Sequence, residues 1–205
     1  IGVGEGPVFS LNLGLFPLNF DIITVFMTTG SIAFLIGCAF SGQVGKLFGK
    51  RNGLIILTLI NAVAVISFYL IPPESVKLIF AVNIFASLVA GPTPAIVWAL
   101  YTDVADYNEW KFNRRSTGLI FSATMFAQKF GYTIGASAAA SLLAFFGYVA
   151  NQAQTPEAVN GILMMYSIIP GGLALINGII LFWFPLTQKQ TDTIQADLEV
   201  RRANH

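Results

Sequence analysis

The segment LIILTLINAVAVISFYLI, residues 54–71, contains no Asp, Glu, Lys or Arg. Because a helix needs roughly 20 mostly apolar residues to cross the hydrocarbon core of a bilayer, this segment predicts a membrane-spanning helix. Apolar residues make up 55% of the chain and charged residues 10%, whereas soluble domains contain about 25% charged residues. Further stretches without charge lie at 22–45, 78–102, 116–128, 130–156 and 158–188. The pattern indicates an integral membrane protein.

Turn signals trim these stretches to a predicted all-α bundle of five transmembrane helices. The predicted spans are residues 22–45, 54–71, 78–103, 117–146 and 161–186. The residues after them, 187–205, are expected to form a tail with a short helix, because Ile194 and Leu198 lie one turn apart. Repeated glycine and proline break up residues 1–21, which are expected to be an atypical or truncated remnant before the first span.

Most basic residues fall in alternate connections of this bundle and in its tail. By the positive-inside rule, this side and the C-terminus are predicted to be cytoplasmic. Because the basic residues lie at helix ends and form no groove-sized patch, no nucleic-acid partner is expected. These basic residues are Lys46, Lys50, Arg51, Lys111, Arg114, Arg115, Lys189, Arg201 and Arg202.

Cysteine and histidine are nearly absent from the sequence. Cys38 lies within a predicted span and His205 is the last residue, and each is the only one of its type. A disulfide, a thiolate metal site or a nucleophile–histidine pair is therefore not expected. The sequence predicts neither an enzyme nor a protein with a resident cofactor.

Lys129 is the one charged residue inside a predicted span. It lies about 18 Å into the fourth span at about 1.5 Å per residue, near the middle of a core about 30 Å thick. Such a lysine costs roughly 2.5–3.5 kcal/mol to insert, so we expect it to face a polar cavity or a carboxylate. The alternative is a buried ion pair that only joins two helices.

Polar residues share the helix with Lys129. By three-and-four spacing, Ser122, Met125, Tyr132 and Thr133 lie on its stripe, and Thr124, Gln128, Gly131 and Gly135 lie on the next stripe. This pattern favours a helix that lines a substrate or cation pathway. Alternatively, the hydroxyls bond to their own helix backbone, and the GxxxG of Gly131 and Gly135 permits a close helix contact.

The third span combines a polar face with two prolines. Asn83 and Trp98 lie on one face, and Pro92 and Pro94 predict a kink. Kinked helices of this kind commonly bend around a binding site. Trp98 could stack on the apolar side of a sugar ring, or it could be an ordinary interfacial or core tryptophan.

A charged cluster begins at the last residue of the third span. Asp103 and Asp106 share one helix face near the C-terminal end, where carboxylates oppose the helix dipole. Nearby cations, including Arg114 and Arg115, are expected to compensate them and to form a cytoplasmic gate of ion pairs. The alternatives are a solvated loop with weak pairs, or an intramembrane enzyme that binds Mg²⁺ and a lipid diphosphate through the carboxylates.

The run YTDVADYNEWKFNRR, residues 101–115, resembles the loop signature D-x-x-D-Y-x-E-[WY] of the glycoside-pentoside-hexuronide cation symporters, the melibiose permease family. Lys129 matches the lysine of the helix that follows the signature. The segments GYVANQAQTP (147–156), LFGKR (47–51) and FPLT (184–187) are also similar to the family. The resemblance covers about residues 21–202.

The resemblance implies the carboxy-terminal half of a major facilitator superfamily transporter, with six-helix halves around a central substrate. Alternating access would then drive symport of a glycoside, pentoside or hexuronide with Na⁺ or H⁺ across a bacterial inner membrane. Lys129 would lie near the sugar and the cation, whereas the cation-binding carboxylates would belong to an amino-terminal half absent from this sequence. A non-transporting membrane scaffold and an inert fragment are the remaining alternatives.

Overall fold

The computed structural model describes residues 9–12, 17–20, 22–114 and 116–203. This part of the chain is almost wholly helical, which confirms the predicted all-α class. A 3-10 turn at Phe68–Leu70 extends the third helix. The helices are α1 (Ile22–Ala39), α2 (Ser41–Phe48), α3 (Lys50–Ser67), α4 (Val76–Ala90), α5 (Thr93–Phe112), α6 (Thr117–Phe145), α7 (Pro156–Tyr166), α8 (Ile168–Leu181) and α9 (Gln188–Ala203).

A short hairpin precedes the helices. Its strands, β1 (Phe9–Asn12) and β2 (Pro17–Phe20), pair antiparallel with Phe9 opposite Phe20. The alternation of apolar and polar residues in FSLN is a strand signal, which the surrounding glycine and proline residues obscure in the sequence. The rest of the predicted remnant, residues 1–8, 13–16 and 21, lies outside the described part of the chain.

Helix α1 ends earlier than the first predicted span. It stops at Ala39, and α2 continues as a separate helix after Phe40. Ser41 and Gly42 have a low helix propensity and weaken the helix at this point. Lys46 on α2 is exposed, whereas Val44 packs toward Gly53 of α3. The last residues of the predicted span thus form an amphipathic helix of their own.

Proline interrupts two of the predicted spans. The third span divides at Gly91 and Pro92 into α4 and α5, as the prolines predict, and α5 continues to Phe112. The last span begins at Pro156 and divides at Ser167, because Pro170 has no N–H to donate to the Tyr166 carbonyl. At this break the Leu163 carbonyl oxygen accepts both from the buried Ser167 hydroxyl at 2.5 Å and from the Ser167 backbone N–H at 3.0 Å.

Glycines bring α1 and α4 into close contact. A Cβ on Gly37 would collide with the Leu88 carbonyl oxygen, and a Cβ on Gly91 would collide with the α1 backbone at Phe34 and Cys38. Pro92 cannot donate to the Leu88 carbonyl, so this oxygen is left to face Gly37. The kink in the third span and the close contact with α1 therefore have one origin.

Helices α3 and α8 also pack through glycines, namely Gly171 and Gly178, which lie against side chains of α3. The GxxxG of α6 behaves differently. A Cβ atom added to Gly131 or Gly135 would have no neighbouring element within 4 Å in the described part of the chain. The close contacts thus use glycines seven residues apart on α8 and the glycine at the α4–α5 break, and not the motif on α6.

Helix α9 packs back onto α5. Leu186, Ile194 and Leu198 form a buried apolar cluster with Tyr107 and Trp110 of α5. A second cluster, formed by Leu54 of α3 with Ile96 and Leu100 of α5, lies beside it. The tail predicted from the spacing of Ile194 and Leu198 is therefore part of the packed bundle.

Within the described residues, four helical stretches are long and apolar enough to cross a bilayer, with mean hydropathies between 1.7 and 2.3. Helix α6 is not one of them, although it has 29 residues. Gln128 and Lys129 at its middle, together with several Ser, Thr and Gly residues, lower its hydropathy. None of its described residues is buried. The four stretches are Ile22–Ala39, Lys50–Leu70, Val76–Phe112 and Pro156–Leu181.

Candidate functional site

An open cavity of about 910 Å³ lies between α3, α5, α6 and α8; we call it the central cavity. The break at Pro92 and Pro94 places the first turn of α5 in its wall. Among the described residues, those that line it carry no charge at neutral pH. Its hydrogen-bonding side chains are Thr58, Asn61, Thr93, Thr124, Gln128, Asn177, Trp98 and Tyr101. A neutral ligand with several hydroxyl groups fits this lining better than an isolated ion does.

Aromatic rings form one corner of the central cavity. Trp98 stacks on Phe121 of α6, with the ring centroids 5.7 Å apart and the planes 20° from parallel. The Trp98 and Tyr101 rings meet edge to face, with their centroids 5.7 Å apart and their planes at 84°. The indole is 41% exposed. Trp98 therefore has one face covered by a neighbouring ring and still contributes to the wall of the cavity.

Three of the predicted pathway residues, Thr124, Gln128 and Trp98, line this cavity. The Thr124 hydroxyl donates to the Ile120 carbonyl oxygen of its own helix at 2.8 Å. The Gln128 amide donates to the Tyr132 hydroxyl at 3.2 Å. Tyr132 itself is 69% exposed and lies outside the cavity wall. Gln128 is thus held in place by the next turn of α6.

Lys129 does not line the central cavity, although its neighbour Gln128 does. Successive residues on a helix point about 100° apart, and Lys129 is exposed on the adjoining face of α6. Its ammonium group makes no ion pair with any described residue. The ion pair considered from the sequence is therefore not formed within this part of the chain, and a role in the pathway stays a prediction.

Asn83 has a structural position. Its side chain is buried, and its amide donates to the Phe26 carbonyl oxygen of α1 at 2.9 Å. A Cβ on Gly30 would lie 2.9 Å from the same amide nitrogen. Asn83 therefore joins α4 to α1 and does not reach the central cavity.

The charged cluster at the end of α5 is paired, but with other partners than the sequence suggests. The Lys50 ammonium lies 2.7 and 2.8 Å from the two carboxylate oxygens of Asp103, which is 3% exposed. Arg202 of α9 lies 2.8 Å from Glu109 and 3.7 Å from Asp106. The predicted partner Arg114 is exposed, and Arg115 lies outside the described residues.

Helix α9 supplies further bonds to this cluster. The Trp110 indole N–H donates to the Asp197 carboxylate at 3.0 Å. Arg201 donates to the Trp110 carbonyl oxygen and to the Asn113 side chain, both at 3.2 Å. Hydrogen bonding to Glu109 raises the pKa of Arg202 above its already high usual value, so this guanidinium stays charged throughout the physiological pH range. The order of charges along the sequence did not identify α9 as the source of partners for the acidic residues of α5.

Arg51 makes a contact that the sequence did not predict. Its guanidinium donates to the carbonyl oxygen of Leu181 at 3.4 Å and to that of Phe182. These carbonyls end α8, where a cation is favoured by the helix dipole. The first turn of α3 is thus tied to the last turn of α8.

The chain matches the family model described as MFS/sugar transport protein over residues 13–188. It is 32% identical to the glucuronide carrier protein homolog of Escherichia coli (strain K12) over 78% of the chain and 35% of that relative. It is 29% identical to the isoprimeverose transporter of Lactiplantibacillus pentosus over 82% and 35%, respectively. It is 27% identical to the inner membrane symporter YicJ of Escherichia coli (strain K12) over 87% and 39%. The chain therefore spans well under half the length of these relatives.

Proposed function

Because the chain belongs to the family of MFS/sugar transport proteins, we propose that it forms part of a secondary transporter that carries a sugar or glycoside together with a cation. The family confirms the resemblance drawn from residues 101–115. The observation that carries the proposal is the uncharged, hydrogen-bonding central cavity at the α4–α5 break. Relatives named as a glucuronide carrier and an isoprimeverose transporter support a glycosidic or hexuronide substrate.

In this proposal the central cavity provides one side of the sugar-binding site. Asn61, Gln128 and Asn177 each offer both a donor and an acceptor, which suits the hydroxyl groups of a sugar. Thr58, Thr93 and Thr124 add hydroxyls, and Trp98 offers an aromatic surface for the C–H side of the ring. A sugar buried here would exchange its water hydrogen bonds for bonds to these side chains.

The family resemblance implies that carboxylates hold the cation, and the described lining residues of the central cavity include none. We propose that they come from an amino-terminal helix bundle that packs against α6, as the family resemblance implies. The exposed length of α6 supports this arrangement, because Lys129, Tyr132 and Phe126 lie on a surface without a described neighbour. Lys129 would then contact the substrate or the coupling carboxylates, and Na⁺ and H⁺ are both compatible with the proposal.

The ion pairs at the end of α5 are proposed to form the inner gate. Asp103, with Lys50, is buried, whereas Arg202 pairs with Glu109 and Asp106 at a half-exposed position. Breaking and reforming such pairs would open and close one end of the pathway during alternating access. The positive-inside rule favours the cytoplasmic side for this end, and the name of one relative supports a bacterial inner membrane.

Sugar binding tests the proposal directly. The complete transporter that contains this chain is reconstituted in lipid nanodiscs, and tryptophan fluorescence is titrated with methyl glycosides of glucose, xylose and glucuronic acid. We expect at least one of them to bind, and Gln128→Ala to weaken its affinity about two- to tenfold, since a lost hydrogen bond costs roughly 0.5–1.5 kcal/mol.

The matched control is Gln43→Ala, because Gln43 is an exposed glutamine on α2 outside the cavity. This variant should bind like the unchanged chain. Absence of binding by all three glycosides would remove the support for a sugar site in this chain.

A further inference from the structure

A second cavity, of about 440 Å³, adjoins the central cavity on the side of α1, α4 and α7. We call it the lateral cavity. Asn61 of α3 and Ala90 of α4 belong to the walls of both cavities. The two cavities therefore meet at a partition formed by Asn61 and Ala90.

The polar groups of this partition can still form hydrogen bonds with a ligand. The Asn61 amide donates to the Ala86 carbonyl oxygen at 3.5 Å, which is beyond the usual range for a strong bond. Pro94 has no N–H, so the Ala90 carbonyl lacks its normal helical donor. A donor and acceptor on Asn61 and an acceptor on Ala90 thus lie where the two cavities meet.

The lateral cavity differs from the central cavity in its chemistry. Its walls away from the partition are mostly apolar and aromatic, and Phe68 meets Tyr166 edge to face at 5.5 Å. Asn83 also lies in this wall, but its amide is already bonded to the Phe26 carbonyl oxygen. The larger apolar members of the wall are Phe34, Val65, Phe68, Met165, Tyr166 and Pro170, and Ser87 adds one hydroxyl.

We propose that the lateral cavity is a subsite for an apolar aglycone, and that Asn61 hydrogen-bonds the sugar beside the glycosidic bond. This inference rests on the proposed function, because the sugar ring occupies the central cavity. A ring with hydroxyls matches the neutral polar lining on one side of Asn61, and an aryl or alkyl group matches the apolar lining on the other. The fitting substrate is a glycoside with an apolar substituent, and not a free monosaccharide.

The test compares phenyl and methyl glycosides of the same sugar, for glucose, xylose and glucuronic acid, with the complete transporter that contains this chain in nanodiscs. We expect the phenyl glycoside to bind about tenfold more tightly than the methyl glycoside, since a phenyl group buries substantial apolar area. Met165→Gln, a near-isosteric change to a polar side chain, should reduce this ratio toward one and leave methyl glycoside binding unchanged. Asn61→Ala should weaken both ligands.

Met27→Gln is the matched control, because Met27 is 58% exposed on α1 and lies outside both cavities. A second measurement needs no variant: an azidophenyl glycoside, photolysed on the unchanged chain, should label residues of the lateral cavity such as Met165 or Tyr166. Mass spectrometry of the peptides locates the label.

The outcomes separate the two proposals. If neither glycoside of any sugar binds, the proposed function fails and the aglycone subsite fails with it. If phenyl and methyl glycosides bind equally, or if Met165→Gln leaves the phenyl preference intact, the subsite is wrong and the proposed function stands. Labelling confined to α5 and α6 would also overturn the subsite.

Discussion

At the scale of single residues, the Lys50–Asp103 pair shows how burial decides the strength of an ion pair. The Asp103 side chain is 2% exposed and that of Lys50 is 26% exposed, so water screens this pair weakly. The Arg202–Glu109 pair, with side chains 49% and 20% exposed, is screened more strongly. A buried carboxylate that loses its cation is left uncompensated, and this is more costly than losing a surface pair.

We therefore predict that Lys50→Met lowers the free energy of unfolding by about 3 kcal/mol, the usual order for a broken buried pair. Thermal unfolding of the detergent-solubilised chain measures the effect. Lys46→Met is the control, because Lys46 is exposed on α2, and it should change little. The double change Lys50→Met with Asp103→Leu should recover most of the loss; an equally unstable double variant would contradict the buried-pair explanation.

Lys129 gives a second prediction at this scale. In the complete transporter that contains this chain, Lys129→Gln should reduce gradient-driven uptake at least about tenfold, because bonds to charged groups contribute roughly 1.5–3 kcal/mol. Membrane insertion, measured by the amount of protein in the membrane fraction, should be unaffected. Lys189→Gln, in the exposed start of α9, serves as control. Normal accumulation by the Lys129 variant would remove this residue from the mechanism.

At the scale of helices, glycine spacing and proline decide which helices touch. We predict that Gly37→Ala destabilises the chain by about 2 kcal/mol or more, since overpacking of a tight contact typically costs about 1–3 kcal/mol. Gly131→Ala should be neutral or slightly stabilising, because its Cβ would meet open space and alanine favours a helix by roughly 1 kcal/mol. Thermal unfolding of both variants checks the contrast; equal effects would contradict the packing.

The docking of α9 gives another prediction for a single element. Leu198 is 3% exposed in the cluster with Trp110 of α5, so Leu198→Ala should weaken docking by about 2–3 kcal/mol. Faster hydrogen exchange and faster proteolysis within α9 are the expected signs, with the other helices unchanged. Val200→Ala, at a position that is 63% exposed, should behave like the unchanged chain. Uniform protection in both variants would mean that the cluster does not hold the tail.

At the scale of the whole molecule, we predict the orientation of the bundle across the bilayer. Because Cys38 is the one cysteine of the sequence, cysteines introduced singly can test this orientation. With Cys38→Ala as background, Lys46→Cys should react with a membrane-impermeant maleimide only after cells are opened. Glu157→Cys, at the start of α7, should react in intact cells. The positive-inside rule supplies the reason, and the reversed pattern of labelling would contradict it.

Much of this architecture follows from local sequence. Charge-free stretches locate the helices, and Pro92, Pro94 and Pro170 account for the breaks in two of them. Contacts between distant residues do not follow in this way. The acidic residues of α5 lie beside Arg114 in the sequence but pair with Lys50 and Arg202, because helix packing brings these cations to the same end.

The same limit applies to the candidate site. The polar stripe on α6 correctly points to Thr124 and Gln128 as lining residues, since helical periodicity is a local property. Asn177 was missed because it is the one polar side chain of α8. Asn61 was missed because only Thr58 accompanies it on its face of α3, and two residues do not make a recognisable stripe. Their position in the cavity depends on how α3 and α8 face α5, which no single segment of sequence determines.

The bonds from Arg51 to the end of α8 have a mechanical consequence. Together with the glycine contacts of Gly171 and Gly178, they couple α3 and α8 at one end and along their length, so the two helices should move as one rigid unit. Helix α6 has no buried residue within this chain, so contacts inside the chain fix its position less firmly than those of α3 and α8. A change in the width of the central cavity would therefore come from displacement of α6 against a stationary α3–α8 wall.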